Sequence, residues 1–470
     1  MRFALFLSVV CLALVTVTCT NKPKNLPPSG RFYFPSGIHH ARPAGSTEGV
    51  LYVVNANLDR RYDTGTMTAV DLDAVGLPPF GTFSGGSGGP LELMDLKIAD
   101  PATNIIQLAN FGGDLGTTVM PDGTVRMFVS SRAEGQKLMA IDARGTSLSC
   151  VRTLWADGGS RADPVDERDC GEVGASLVEY ERTSLGVPRA DSPLSVTVDG
   201  DGGVWVASGR HADSPRFSNM EFNDYIVRTD RNGISVGFDN FVALGVGSTH
   251  AVAAGRRWVY FSGRLPSVQF NPPLVRMVDS YTGAFFDTDL EVNLRITDAR
   301  GIALAADERR LFLAGRQAAG AIGSDVLVVA TIADPMADTP SVSVLRTIPV
   351  PAEPLMVKTV SRGPGRGDLV FVACGFGFGS LVIYDDERGD RAAQIDGIGT
   401  QASSIAVDVR QSGGVTGARV YVTAHTDGRV AVIDVPNLDA PQDARLVAHL
   451  GLSQVCLTRR DIICDGGVAP

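Results

Sequence analysis

The chain has 470 residues, enough for a large core, and carries 42 Lys and Arg against 52 Asp and Glu, a net charge of −10. That balance, with no basic run anywhere, argues against nucleic acid as a partner. Glycine is abundant at 53 residues, as many tight turns require, and helical periodicity is nearly absent.

Taken from the start, residues 1–18 read as an export signal: Arg2 is a short basic region, and Ala4 to Val17 is an apolar run too short to span a membrane and remain there. The run ends at Thr16-Val17-Thr18-Cys19 and is followed by TNKPKNLPPSG. This stretch resembles the lipobox of bacterial lipoproteins, with Thr18 where that family prefers Gly, Ala or Ser. The resemblance implies that Cys19 is lipidated, becomes the mature N-terminus and is followed by a tether over 19–30. Thr20 rather than Asp after the Cys favours the outer membrane. The alternative is an ordinary secretory signal.

Beyond the tether one pattern repeats. Its last copy is RVYVTAHTDGRVAVIDV (419–435), two runs dense in β-branched residues joined by a polar turn. Seven copies of the second strand occur: LYVVN (51–55), RMFVS (126–130), VWVAS (204–208), VYFSG (259–263), LFLAG (311–315), VFVAC (370–374) and VYVTA (420–424). Each is followed by a third strand, and six of these end in Asp: Asp71, Asp142, Asp230, Asp279, Asp385 and Asp434. First strands precede them in six copies, from SGIHHA (36–41) to SSIAVD (403–408); in the second copy DLGTTV (114–119) is the best candidate. ARLVAHLGL (444–452) reads as the outer strand of the last copy. How a ring of such units would close is left open, since both terminal copies have their own strands.

Second strands recur about every 50–60 residues over copies three to seven and about every 77 over the first two steps, which therefore carry long insertions. Short strands apolar on both faces suit blades stacked around an axis. YVTA (421–424) and YVVN (52–55), each followed by a strand ending in Asp, resemble the YVTN family of seven-bladed β-propellers. The expected fold is thus all-β, a seven-bladed β-propeller of mostly four-stranded antiparallel blades over 31–455. A charged, Gly- and Pro-rich insertion occupies 150–192, and a tail follows at 456–470. The resemblance speaks to fold and not to activity.

Cys150 and Cys170 flank one polar insertion and Cys456 and Cys464 flank another short segment. In an exported protein they read as two local disulfides, the alternative being four unpaired thiols; Cys374 is left in a strand, buried and inert.

Loops after second strands and loops leading into first strands emerge on one face of a propeller. Arg132, Arg210, Arg264 and Arg316 each follow a second strand, with His425 in the last copy, and Asp191, Asp298 and Glu353 lead into first strands. Two readings compete: a cationic ring that binds an anionic or polyhydroxylated ligand, or arginines each paired to a neighbouring acid, the simpler explanation of a repeated feature. His39, His250 and His425 are the candidates for a metal ion near the channel, against the plainer reading of scattered polar lining residues. No other cofactor is expected.

No GxSxG elbow, HExxH or phosphate loop occurs. The expectation is a non-catalytic, monomeric envelope lipoprotein, membrane-bound only through its anchor, that binds a protein or glycan across the loop face. The alternative is a propeller hydrolase or dehydrogenase, lactonase-like or quinoprotein-like, with a metal or cofactor in the channel.

Overall fold

The computed structural model describes residues 24–82, 89–132, 137–151, 168–173, 175–176, 193–208, 223–229, 241–246, 248–264, 273–290, 296, 298–316 and 325–453. The expected signal, Cys19, the Cys456–Cys464 pair and Arg210 lie outside them.

The described strands fall into seven sheets. The first holds β1 (Pro35–Ala41), β2 (Val50–Asn55) and β3 (Gly65–Asp71); the chain then leaves it for β4 (Leu91–Leu93) and returns as its outer strand β5 (Ile105–Leu108). The second holds β6 (Gly112–Val119), β7 (Val125–Ser131) and β8 (Lys137–Arg144), with β9 (Ser147–Val151) and β10 (Ala175–Ser176) both on the edge of β8. The third runs β11 (Pro193–Val198), β12 (Val204–Ser208), β13 (Asn223–Thr229) and β14 (Phe241–Val246), and the fourth β15 (Ser248–Ala254), β16 (Trp258–Arg264), β17 (Pro273–Asp279) and β18 (Phe285–Asp287). The fifth runs β19 (Asp298–Leu304), β20 (Arg310–Arg316), β21 (Val326–Ala333) and β22 (Ser341–Pro349), and the sixth β23 (Pro354–Val360), β24 (Leu369–Cys374), β25 (Ser380–Asp385) and β26 (Asp390–Asp396). The last holds β27 (Ala402–Ser412), β28 (Val415–Ala424), β29 (Arg429–Val435) and β30 (Arg445–Leu450), with β4 added in parallel to its edge.

The arrangement is a β-propeller, with at least six of the sheets standing as blades. Strand β6 contains DLGTTV and β30 lies within ARLVAHLGL, as expected. The composition of the strands explains the stacking. Middle strands such as β2 and β24 are buried at every position because a neighbouring sheet covers each face, whereas the outer strand β22 alternates between exposed and half-buried. Seven apolar clusters result, each between two consecutive sheets; the one holding Tyr52, Met127 and Ile141 joins the first sheet to the second. Inner strands touch in a closed cycle, β1 on β6, β6 on β11, and so on to β23 on β27 and β27 back on β1. They approach so closely that a Cβ on Gly301 would lie 2.8 Å from the Leu355 carbonyl oxygen of the next sheet.

The ring is fastened twice between its first and last sheets. Strand β4 crosses over to pair with β30, and Glu92 on it meets Arg429 at 3.1 Å and His449 at 2.9 Å. On the inner side, Glu48 from the β1–β2 loop accepts from Arg410 at 2.8 Å and Arg419 at 2.6 Å, and Arg42 grips Asp408. Phe80 lies over both Arg410 and Arg419. Among the described residues, strand-end aspartates are structural. Asp385 accepts from the Glu387 and Arg388 amides and pairs with Arg362, and Asp279 accepts from the Tyr281 and Thr282 amides.

Candidate functional site: the channel mouth

All seven inner strands are irregular at the same place. Their pairing with the second strand slips between Pro35 and Gly37, Gly112 and Leu115, Pro193 and Ser195, Thr249 and Ala251, Ala299 and Ile302, Pro354 and Met356, and Ala402 and Ile405. A bulge leaves a residue unpaired and re-aims its side chain. The residues so released include Ser36, Asp114, Leu194, His250, Arg300, Leu355 and Ser403, and every one of them lines a cavity of about 430 Å³ at one end of the channel. A second cavity of about 480 Å³ continues along the inner strands and is bordered by His39, Lys358 and Thr359. Asp114 borders both and marks the waist.

Three arginines line the mouth. Arg132, just after β7, lines it with Arg300 and Arg316. Among the described residues nothing is bonded to the Arg132 guanidinium, and burial together with the nearby Arg300 charge lowers its pKa. Arg316 is paired differently: its Nη2 lies 3.4 Å from Glu353 Oε1, both side chains being about one-third exposed. Arg300 Nε donates to Asp298 at 2.5 Å, and His250 Nδ1 lies 3.1 Å from the other oxygen of that carboxylate. Burial works to raise the Asp298 pKa, but His250 and Arg300 outweigh it and hold the carboxyl below its ordinary range.

His425 Nδ1 donates to the Pro35 carbonyl at 3.2 Å, and its ring rests on Phe34. Burial, against the hydrogen bond and with the push of Arg132, lowers its pKa to about 4, so it is neutral at pH 7. At the waist, burial raises the Asp114 carboxyl, although the Leu115 amide, the Ser404 hydroxyl at 3.0 Å and the Lys358 charge pull the other way. His39 lies beyond the waist, stacked on Tyr52, its pKa lowered to about 3 by burial and by Lys358 and His40.

The expected residues are thus partly brought together. Arg132, Arg316, His250 and His425 share one mouth. Arg264 ends β16 opposite Ser248, at the same end of its sheet, with its side chain outside the described residues. The histidines do not converge: His250 is held by Asp298, His425 by Pro35, and His39 opens into the further cavity. Among the described residues no group of three His, Cys, Asp or Glu side chains could hold a metal ion. Cys150 and Cys170 form the expected disulfide, and Cys374 is buried, its thiol pushed up to about 12 by burial. Arg300, Asp114 and Ser403 were not foreseen. The signal was present in the aligned starts of the inner strands, PSGI, GGDL, PLSV, THAV, ARGI, PLMV and ASSI, whose second or third residue reaches the mouth.

No protein-family model and no curated protein matches this chain. Among solved structures it is similar to Kuenenia stuttgartiensis hydrazine synthase, at 12% identity and a TM-score of 0.50, over 88% of this chain and 99% of that one. It is also similar to apo AztD from Citrobacter koseri, at 11% identity and a TM-score of 0.38, over 88% and 86% of the two chains. At 12% identity the likeness to the synthase shows the fold alone, and the second likeness, at a TM-score of 0.38, carries no argument.

Proposed function

We propose that this chain is a non-catalytic binding propeller whose mouth receives an anionic group of a protein or glycan partner. The observation that carries the reading is the Arg132 guanidinium, exposed at the rim of a 430 Å³ cavity that Arg300 also lines and unbonded among the described residues. Two like charges in one partly desolvated mouth repel each other, and a carboxylate or phosphate between them would relieve that repulsion. The paired Arg316 and Arg300 then act as the frame, and Arg132 as the group that meets the ligand.

The blade count belongs to the same proposal. We read each sheet as one blade, seven in all, on the support of the closed cycle of inner strands and the seven matching bulges. The address is a proposal too: an exported, monomeric protein anchored by lipid on Cys19, with the outer membrane as its destination. The Cys150–Cys170 disulfide is in keeping with an oxidising compartment. Replacing Cys19 with Ala should release it from membranes; a wild type already soluble in the periplasm would refute the anchor.

The test of the mouth is a calorimetric titration of the whole chain with two carboxylate polymers, poly-glutamate and oligogalacturonate, at several salt concentrations. At least one should bind, more weakly as salt rises, and Arg132→Gln should abolish binding at unchanged Tm. Binding of neither polymer, or binding indifferent to salt and to Arg132, would overturn the reading.

A further inference from the structure

The turn between β24 and β25 reads Gly375-Phe376-Gly377-Phe378-Gly379, and both aromatic rings stand in solvent, Phe376 68% and Phe378 85% exposed. Single exposed apolar residues are ordinary, but two rings on one short turn are not explained by the surface average. The turn is held in shape. Gly379 N donates to the Phe376 carbonyl at 3.1 Å, and Gly399 N to the Phe378 carbonyl at 2.8 Å. Gly377 and Gly379 have φ of 66° and 68°, and a Cβ on Gly379 would collide with the Gly399 carbonyl, so only glycine fits there. A turn whose backbone is already held loses little backbone entropy when something covers its two rings.

The turn hangs on the mouth itself. Gly375 N donates to the Glu353 carbonyl at 2.8 Å, and Gln401 N donates to the Gly375 carbonyl at 2.9 Å. Glu353 and Gln401 both line the mouth cavity, and Glu353 is the acid paired with Arg316. The apolar ledge is therefore tied, through Gly375, to two residues that line the cationic cavity.

We infer that the mouth and the Phe376–Phe378 ledge together receive a peptide segment of a partner protein in which apolar side chains adjoin a run of acids. This rests on the anion-binding reading of the mouth and names the class of ligand. The apolar side chains would cover the rings, and the acidic run would enter beside Arg132. A glycan is the poorer fit to the ledge. Sugar hydroxyls need donors or acceptors beside the stacking face, yet the residues flanking the rings are glycines, and the Gly375 and Gly379 amides are already bonded.

The experiment uses the full chain and fluorescein-labelled peptides of equal length in an anisotropy titration. One peptide carries Leu-Phe before a Glu-Asp-Glu run, one has Ser-Ser in place of Leu-Phe, and one has the amides in place of the acids. The first should bind best, and each of the others about tenfold or more weakly. The double variant Phe376→Ser/Phe378→Ser should weaken the first peptide about tenfold, leave its salt dependence intact and leave Tm unchanged, while Arg132→Gln should remove the salt dependence. If the double variant binds all three peptides as the wild type does, the ledge proposal falls while the mouth reading stands. If oligogalacturonate binds more tightly than any peptide, the partner is a glycan and the proposal falls. Ring-dependent binding to anionic vesicles without peptide binding would likewise overturn it, making the ledge a membrane contact. Loss of every form of anion binding would sink both readings together.

Discussion

Arg419 is the side chain whose removal should cost the propeller most. It is wholly buried, and its guanidinium makes four bonds: to Asp434 at 2.6 and 2.9 Å, to Glu48 at 2.6 Å and to the Pro78 carbonyl at 2.8 Å. Burial alone would make its charge harder to keep, but Asp434 and Glu48 raise its pKa, so the side chain is charged. Arg419→Met keeps the apolar stem and deletes the charge. Asp434, also fully buried, is then left with the Gly81 amide at 3.1 Å, and Glu48 keeps only Arg410. Stripping one partner from a buried pair costs about 3–5 kcal/mol. Unfolding entropy is roughly 2.1 cal/mol/K per residue. Over 470 residues that is about 1 kcal/mol per degree, so Tm should fall by about 3–5 °C. Calorimetry on the single variant, on Asp434→Leu and on the pair gives a double-mutant cycle. The pair should lose much less than the two singles added together, because no charge is then left stranded. Arg366→Ala is the control: its partners Glu387 and Asp439 are exposed, and Tm should not move. If Arg419→Met shifts Tm no more than that control, or the cycle is additive, the network does not fasten the ring.

The other expectations can be checked with the same preparation. Removing the Cys150–Cys170 disulfide, which spans 20 residues, should cost about 3 kcal/mol at most and admit protease near residue 150; collapse of the whole propeller would contradict a local staple. His39 and His425, with folded pKa values of about 3 and about 4 against about 6.5 unfolded, bind protons more readily in the unfolded chain. Stability should therefore fall as pH drops from about 6.5 towards 4, and His425→Gln should flatten that slope in urea titrations; the raised Asp114 carboxyl works in the opposite direction. Gly301→Ala should cost about 1–3 kcal/mol by driving a methyl into the Leu355 carbonyl and Met356 of the next sheet, and an unchanged denaturation midpoint would mean that the inner strands have slack.

Much of the architecture was legible because it is repeated. A middle strand such as VFVAC (370–374) must be apolar on both faces to lie between two sheets, and seven such runs at regular spacing leave few folds open. The strand-end aspartates were legible for the same reason, since they recur at one place in the repeat, although Asp279 and Asp385 bind turn amides whereas Asp142 and Asp434 pair with arginines. Closure of the ring was not, because it happens once. Nothing about Leu91–Leu93, part-exposed and three residues long, reveals that it will pair with a strand more than 350 residues away. Nor does the Arg that opens RVYVTA (419–424) disclose that it is the pivot of a buried charge cluster.

The mouth was half legible, and the reason lies in the bulges. A released residue whose side chain faces the mouth is not asked to fill a core between sheets, so its identity is not constrained by the repeat. Positions that are backbone-equivalent carry Ser36, His250, Arg300, Leu355 and Ser403, which share no chemical class and therefore no motif. The arginines after the second strands were found because they recur; Arg300 and Asp114 were missed because they do not. Yet the same freedom is what lets the scaffold carry a site. The ladder fixes where the unpaired residue sits, and its side chain can then change without disturbing a core. On this reasoning, substitutions at the bulge positions whose side chains face the mouth, such as Arg300, should alter what the mouth binds while leaving the propeller's stability nearly untouched, whereas substitutions at Gly301, which abuts the next sheet, or at Ile38 or Ile302 should do the reverse.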